Sequence, residues 1–317
     1  MSLLTVIIPS YNEEDMISIT SDRISSLLRE AQIQYELLFV DDGSKDNTWK
    51  LISELSVADP SIRGAHFSRN FGKEAAILAG LTESHGDCCV VIDCDLQHPP
   101  EKIIEMYHLW EQGYEIVEGQ KSSRGKESGS YSFASKTFYA IISKASGIDM
   151  ANASDFKLLD RRAVDVLVNM REQGAFFRAL SSWIGFKTTS VSYDVQERMA
   201  GESKWSTSGL IKYAVNNITS FSTAPMQFIT LLGGVTFVVA LVFAVIALIQ
   251  KITGVAYPGF TTVILIIAFI GSMIMISLGI IGYYIARIFE EVKGRPRYII
   301  SSTCGVSTRQ GNDQKTI

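Results

Sequence analysis

The sequence predicts an α/β domain with a mostly parallel sheet, followed by a hairpin of two transmembrane helices. Short apolar runs alternate with longer amphipathic segments from Leu3 to about Val195, and two long uncharged stretches follow them. Strand–helix–strand repetition is typical of a parallel sheet with right-handed crossovers. An uncharged stretch of about 20 residues is long enough to span a bilayer.

Five short apolar runs are the strand candidates: LLTVIIP, YELLFV, IRGAHF, CCVVI and YEIVEG. The helix candidates between them are EEDMISITSDRISSLLREA, KDNTWKLISELS and KEAAILAGLTESH. Ligands bind open parallel sheets outside the carboxyl ends of the strands. The polar segments that follow the first four runs are PSYNEE, DDGSKDNT, SRNFGKE and DCDLQHPP. Each alone could be a turn or a helix cap, but four of them at one sheet edge favour a functional site.

The membrane region is predicted at residues 226–288, with spans at about 226–249 and 260–286, neither of which contains a charge. Basic residues flank both outer ends, whereas the connecting loop contains only Lys251. The positive-inside tendency therefore predicts that residues 1–205, a catalytic domain, and both termini are cytoplasmic. Residues 206–225 are expected to form either an interfacial helix or a helix packed on protein. Residues 289–317 are expected to be a cytoplasmic tail, part of it disordered.

Composition excludes several classes of protein. The formal net charge of −4 and the pI of about 5.7 argue against a nucleic-acid partner held by bulk positive charge. The four cysteines show no CxxC spacing, which favours a reducing compartment over a disulfide framework. The first apolar run is too short for a signal peptide. The chain contains neither GxxxxGK[ST] nor GxGxxG, so a P-loop NTPase and a dinucleotide dehydrogenase are both disfavoured.

Two carboxylates, Asp93 and Asp95, directly follow the buried run that ends at Ile92. A buried strand should not end in adjacent negative charges without a positive partner, so we expect a divalent metal ion there. Oxygen ligands favour Mg²⁺ or Mn²⁺, and such an ion would neutralise a departing diphosphate. Asp42, after the second run, is placed to accept hydrogen bonds from a ribose or a base.

Six segments in order carry a resemblance to a known family: LTVIIPSYNEE, LLFVDDGSKDNT, SRNFGKEAAILAG, VVIDCDLQHPPE, SDFKLLDRR and QERMAGESKW. Together they resemble the family 2 glycosyltransferases, and most closely the polyprenyl-phosphate branch that includes dolichol-phosphate mannosyltransferase-like enzymes. The resemblance implies a nucleotide-sugar-binding domain of GT-A type. It also implies inverting transfer of a single sugar from a nucleotide-diphosphate sugar to undecaprenyl or dolichyl phosphate at the cytoplasmic membrane face.

The resemblance also implies roles for individual residues. Pro9, Tyr11, Glu13, Asp42 and Asp93 would bind the nucleotide sugar; Asp93, Asp95 and Gln97 would hold the metal; Asp155, Arg198 and Lys204 would be catalytic. Lys73 stands where glutamine is frequent in this family, and Ser154 where glycine often precedes the aspartate.

Asp155 matches a proposed base, but a phosphate monoester is already largely dianionic at neutral pH. We therefore expect Asp155 mainly to orient the acceptor or the sugar, the alternative being a strand-end or helix-capping aspartate. Arg198 and Lys204 would draw in phosphates; the alternative is a solvated loop. His98 is expected to lie outside the metal ligands.

Two other functions stay open at this point. A processive polysaccharide synthase would carry a QxxRW motif and more spans, and this sequence has neither. A catalytically inactive membrane scaffold would have lost carboxylates, yet Asp42, Asp93, Asp95 and Asp155 are present. We expect no nucleic-acid partner. A homo-oligomer is expected because small residues such as Gly233 and Gly234 permit helix contacts. A separate flippase and a downstream glycosyltransferase are expected to handle the product.

Overall fold

The computed structural model describes residues 2–121, 154–170, 177–194, 224–253 and 259–305. The chain divides into two compact units, Met1–Ser206 with Pro296–Ile317, and Thr207–Arg295. The first unit contains every predicted strand, and the second contains both predicted membrane spans.

A sheet of eight strands forms the centre of the first unit, in the order β7-β5-β6-β4-β1-β2-β3-β8. The strands are β1 (Leu3–Ser10), β2 (Gln34–Asp41), β3 (Ile62–Phe67), β4 (Cys88–Val91), β5 (Ile116–Lys121), β6 (Lys157–Asp160), β7 (Thr188–Tyr193) and β8 (Ile300–Cys304). The β1–β2, β1–β4, β2–β3 and β5–β7 pairs are parallel, whereas β6 is antiparallel to both neighbours and β8 to β3. The prediction of an α/β fold with a mostly parallel sheet is confirmed.

The helices of this unit are α1 (Ile17–Glu30), α2 (Thr48–Ala58), α3 (Lys73–Glu83), α4 (Glu101–Glu111), α5 (Arg161–Asn169) and α6 (Phe177–Trp183). Helices α1 to α3 connect the parallel strands β1 to β4, as the alternating sequence pattern predicts. Leu4, Val6, Ile7 and Ile8 of β1 are fully buried, so this central strand is covered on both faces. The carboxyl ends of β1, β2, β3 and β4 consequently meet at one edge of the sheet.

The segment that follows the last helix returns to the sheet. We expected residues 289–317 to be a tail, but β8 pairs with β3 and Tyr298 stacks on Phe67 with ring centroids 5.2 Å apart. The Arg297 guanidinium also donates to the carbonyl oxygen of Met170, at 2.7 Å. The strand ISSTC is short and mostly polar, because an edge strand buries little. The sequence therefore carries no hydrophobic signal for it.

Truncation after Arg295 is expected to lower the melting temperature of the full-length protein by about 5 °C or more. Without β8, the edge of β3 loses its backbone partners and Phe67 loses its stacking partner, which are losses of the 1–3 kcal/mol class. The measurement is thermal unfolding in detergent followed by tryptophan fluorescence. Truncation after Gly305, which keeps β8, is the matched control. Equal melting temperatures for the two truncations would show that β8 does not stabilise the sheet.

The second unit contains two long helices, α7 (Ala224–Ile252) and α8 (Phe260–Val292). Their described apolar side chains are largely exposed, for example Phe237 at 70% and Met275 at 69%. In α8 the stretch Phe269–Ala286 is long and apolar enough to cross a membrane, whereas the apolar stretch of α7 among the described residues, Ile229–Phe243, is shorter. One membrane span is thus supported, and the two-helix hairpin stays a prediction. Most of the predicted juxtamembrane segment lies outside the described residues.

Candidate active site

A cavity of about 410 Å³ lies at the carboxyl ends of the parallel strands. Residues from all four predicted polar segments line it: Pro9, Ser10, Tyr11, Glu13, Asp42, Asn70, Gly72, Lys73, Ala76, Asp93, Cys94 and Asp95. This set includes every residue that we expected to bind the nucleotide sugar. It also includes two of the three expected metal ligands, whereas Gln97 is not among the lining residues.

The loops after β1 and β2 hold each other in place. The backbone amide of Asn12, which has a φ of +53°, donates to Ser44 Oγ at 2.8 Å, and Lys45 N donates to Asn12 Oδ1 at 3.0 Å. Glu13 N donates to Thr48 Oγ1 at 2.9 Å. These contacts fix the wall of the cavity that carries Glu13, and they leave the Tyr11 ring partly exposed at its rim.

Asp42 organises the loop after β3. Its two carboxylate oxygens accept hydrogen bonds from Phe71 N at 2.6 Å and from Gly72 N at 2.9 Å. Burial raises the pKa of Asp42, and the two amide donors offset only part of that effect. Gly72 has a φ of +101°, a conformation that favours glycine, and α3 begins at the next residue. Asp42 therefore lines the cavity and also sets where Lys73 begins its helix.

Asp93 and Asp95 follow β4 in a tight turn. Gln97 N donates to Asp95 Oδ1 at 3.1 Å, and Leu96 has a φ of +53°. Both carboxylates line the cavity, and their oxygen donors fit a hard cation such as Mg²⁺ or Mn²⁺. Among the described residues no group of three or more His, Cys, Asp or Glu side chains could hold a metal ion. A metal here would therefore use the two carboxylates, with remaining positions for Gln97, substrate or water.

The ammonium group of Lys73 forms ion pairs with both Asp93 and Asp155. It lies 2.6 Å from Asp93 Oδ1 and 2.9 Å from Asp155 Oδ2. Burial alone would lower the pKa of Lys73, but the charges of Asp93 and Asp155 outweigh burial and raise it. From the sequence we noted Lys73 only as a departure from the family pattern. Its position in the polar segment after β3 could have indicated that it lies at the site.

Asp155 is buried at 4% exposure and paired with Arg178 of α6. Arg178 Nε donates to Asp155 Oδ1 at 2.6 Å, and Arg178 Nη2 donates to Oδ2 at 2.8 Å. Burial would raise the pKa of Asp155, but Lys73 and Arg178 together hold it well below its usual range. Sequence reasoning missed Arg178, because FFRALSSW resembles any amphipathic helix.

Glu74 lies beside this pair and is also held to α6. The amide of Phe177 donates to Glu74 Oε2 at 2.9 Å. Burial, with the nearby negative charge of Asp155, raises the pKa of Glu74 to about 7. Together Lys73 and Glu74 connect the first turn of α3 to both Asp155 and α6.

His98 packs behind the turn that contains Asp93 and Asp95. Its ring stacks on Phe156 with centroids 5.2 Å apart and meets the edge of Tyr193. Its Nδ1 atom is 4.0 Å from Asp93 Oδ2 and is buried without a hydrogen-bond partner among the described residues. Burial lowers the pKa of His98, which favours the neutral ring. The other two predicted catalytic residues, Arg198 and Lys204, lie outside the described residues.

Comparison with known proteins identifies the family of this chain. Residues 5–168 match Glycosyl transferase family 2. The chain is 37% identical to an uncharacterized glycosyltransferase of Synechocystis sp., covering 96% of each chain, and 34% identical to bactoprenol glucosyl transferase of Shigella phage SfX, covering 94% of this chain and 99% of that one. Glucosyl-3-phosphoglycerate synthase from Mycobacterium tuberculosis, solved with Mn²⁺ and UDP, is 19% identical with a TM-score of 0.43, over 68% of this chain and 76% of that chain. The family match spans more than half of the chain and the two sequence relatives match nearly all of it, so this protein belongs to glycosyl transferase family 2.

Proposed function

We propose that this protein transfers a single sugar from a nucleotide-diphosphate sugar to a polyprenyl phosphate, with inversion at the anomeric carbon. The observation that carries the proposal is that Lys73, a residue of the cavity wall, contacts both Asp93 of the same wall and the buried Asp155. Asp93 and Asp95 suit the metal and diphosphate of a donor, and we infer that the acceptor binds on the side of Lys73 and Arg178. The similarity to bactoprenol glucosyl transferases supports a lipid phosphate as that acceptor.

In this proposal the donor occupies the cavity. Pro9, Tyr11, Glu13 and Asp42 would contact the nucleotide, and Asp93, Asp95 and Gln97 would hold Mg²⁺ or Mn²⁺. The metal, when bound, supplies positive charge that stabilises the departing nucleoside diphosphate. The Asp42 carboxylate also keeps the loop after β3 in place through Phe71 N and Gly72 N, so that loop does not need to reorganise when the donor binds.

The acceptor phosphate is the nucleophile. One of its oxygens forms the new bond to the anomeric carbon while the bond from that carbon to the diphosphate breaks, and the electron pair leaves with the nucleoside diphosphate. A dianionic phosphate has no proton that must be removed. Asp155, held deprotonated by Arg178 and Lys73, is a weak base with an unusually stable charge. It therefore serves to hold Arg178 in position and to balance the charge of Lys73, while Arg198 and Lys204 bind phosphate groups.

Asp155→Asn is expected to lower turnover roughly 10- to 100-fold, by the same factor at pH 5.5 and at pH 8. The pKa of Asp155 is depressed, so the residue is a carboxylate at both pH values and its loss affects positioning only. Measured pH–rate profiles of the wild type and the variant should be parallel. Near-normal turnover of the variant at pH 8 with loss at pH 5.5 would instead assign Asp155 a role in deprotonation.

We propose that both α7 and α8 span the membrane, that the catalytic domain and both termini are cytoplasmic, and that the protein forms a homo-oligomer. The support is the apolar stretch in α8, the exposed apolar side chains of α7, and the charge-poor connection between them. A single hairpin offers no route for the lipid-linked sugar, so a separate flippase and a downstream glycosyltransferase would act on the product.

The transfer assay uses the detergent-purified full-length protein with undecaprenyl phosphate and one radiolabelled nucleotide sugar at a time. UDP-glucose, UDP-galactose, UDP-N-acetylglucosamine and GDP-mannose are offered separately, with Mg²⁺, Mn²⁺ or EDTA. The expected result is label that enters the organic phase from one donor, requires the metal, and corresponds to one sugar per lipid. Polymeric product would instead support a processive synthase. No transfer from any donor to undecaprenyl or dolichyl phosphate, by folded protein, would support the scaffold alternative.

A further inference from the structure

Lys73 contacts Asp93, one of the two carboxylates that we expect to bind a metal ion. Its ammonium is within hydrogen-bond distance of Asp93, which lines the cavity, and of Asp155, which is buried and is not among the lining residues. Asp42 fixes this location, because it binds the amides of Phe71 and Gly72 immediately before α3. The contact is thus built into the loop and does not arise from an isolated flexible surface lysine.

The negative charge of the residues that line the cavity explains why the Lys73 ammonium lies among them. Glu13, Asp42, Asp93 and Asp95 all line the cavity, and Lys73 is the only cation among its lining residues in the described part of the chain. Arg178 is already engaged with both oxygens of Asp155. Lys73 is therefore the cation of the cavity wall that neutralises Asp93.

A divalent ion at Asp93 and Asp95 would be repelled by Lys73 in this position. The ammonium is 2.6 Å from Asp93 Oδ1, so a metal on the same carboxylate would lie within a few ångströms of another positive charge and be repelled by it. The Lys73 side chain is 41% exposed and unbranched, so it has room to leave. The diphosphate that accompanies the metal supplies the negative charge to which it would move.

We propose that Lys73 is an internal counter-ion that occupies the cation position at Asp93 and moves onto the donor diphosphate when metal and nucleotide bind together. This inference rests on the proposed function. If Lys73 moves in this way, metal and nucleotide bind cooperatively. Metal alone must compete with Lys73 for Asp93, whereas nucleotide that binds with the metal offers Lys73 its diphosphate as a new partner. Such coupling is reciprocal, so nucleotide strengthens metal binding by the factor with which metal strengthens nucleotide binding.

The test is Mn²⁺ binding to the detergent-purified full-length protein, measured by electron paramagnetic resonance without nucleotide and with saturating UDP or GDP in separate arms. In Lys73→Met, Mn²⁺ alone is expected to bind about tenfold more tightly than in the wild type, and the strengthening by nucleotide is expected to shrink by a similar factor. Lys73→Gln, which keeps a polar group, should change both quantities in the same direction. Lys50→Met, at a side chain 71% exposed, removes one positive charge elsewhere and should match the wild type.

The direction of the effect separates this role from a structural one, because damage to the site would weaken metal binding. Unchanged or weaker Mn²⁺ binding in the folded Lys73 variants, with wild-type binding intact, would overturn the inference and leave the proposed function standing. Absence of Mn²⁺ binding to the wild type in every arm would overturn the metal assignment in the proposed function and this inference together.

Discussion

Replacement of Asp95 by asparagine is expected to lower sugar transfer by about 10³-fold, equivalent to about 4 kcal/mol of transition-state stabilisation. Asparagine keeps the shape of the side chain and an oxygen that accepts the hydrogen bond from Gln97 N, so the turn after β4 is retained. The negative charge that attracts the metal and its diphosphate is lost. The variant should therefore fold normally, bind Mn²⁺ more weakly and turn over slowly.

The matched control for Asp95→Asn is Asp22→Asn, the same change at an exposed position on α1 that does not line the cavity. Melting temperature, Mn²⁺ affinity and turnover are measured for both variants. Excess metal should recover part of the Asp95→Asn activity if weakened binding causes the defect. Wild-type turnover of Asp95→Asn in the presence of a demonstrated metal requirement would remove Asp95 from the site.

Lys157→Met is expected to destabilise the folded protein by about 3–5 kcal/mol, the cost of leaving a buried charge without its partner. Lys157 is fully buried on β6, and its ammonium donates to Glu118 Oε1 at 2.6 Å and to Ser181 Oγ at 2.9 Å. Glu118 is itself only 15% exposed. Burial lowers the pKa of Lys157, although Glu118 opposes this shift and keeps the pair together.

This change should lower the melting temperature by roughly 10 °C, at about 2–4 °C per kcal/mol for a domain of this size. Lys157→Met/Glu118→Gln should recover more than half of the loss, because the unpaired charge is removed. Lys50→Met on the surface is the control. Lys157 also holds α6 through Ser181, so the single variant should lose activity through Arg178. No stability difference between the single and double variants would show that the ion pair does not stabilise this region.

The edge of the sheet was predictable because local signals and a general topological rule were sufficient. Alternation of apolar runs and amphipathic segments defines β1 to β4, and the carboxyl ends of parallel strands must meet. Pro9 ends the first such run, Glu13, Asp42, Asp93 and Asp95 follow a run, and the structure brings all five to one cavity. The partners of these side chains were not predictable from the sequence. We expected Asp42 to accept hydrogen bonds from a ribose or a base, but its oxygens accept them from Phe71 N and Gly72 N of the loop after β3.

Two cations of the site, Arg178 and Lys73, belong to helices whose packing cannot be predicted from the local sequence pattern. Arg178 of α6 contacts Asp155 from 23 positions away in the sequence. Lys73 of α3 contacts it from 82 positions away. The strand β8 pairs with β3 more than 230 residues away. The short polar strand β8 carries no periodic signal, and the pattern that predicts a helix at α3 or α6 does not say which distant side chain Lys73 or Arg178 contacts.

The sequence by itself determined the α/β class, the apolar helices, the polar strand ends and the family, because each depends on residues near one another in the chain. Only the tertiary structure decided the ion pairs: Lys73 with Asp93 and Asp155, Arg178 with Asp155, and Lys157 with Glu118. The physical reason is that the strength of a charge–charge interaction depends on distance and burial. Those two quantities exist only once the helices have packed on the sheet.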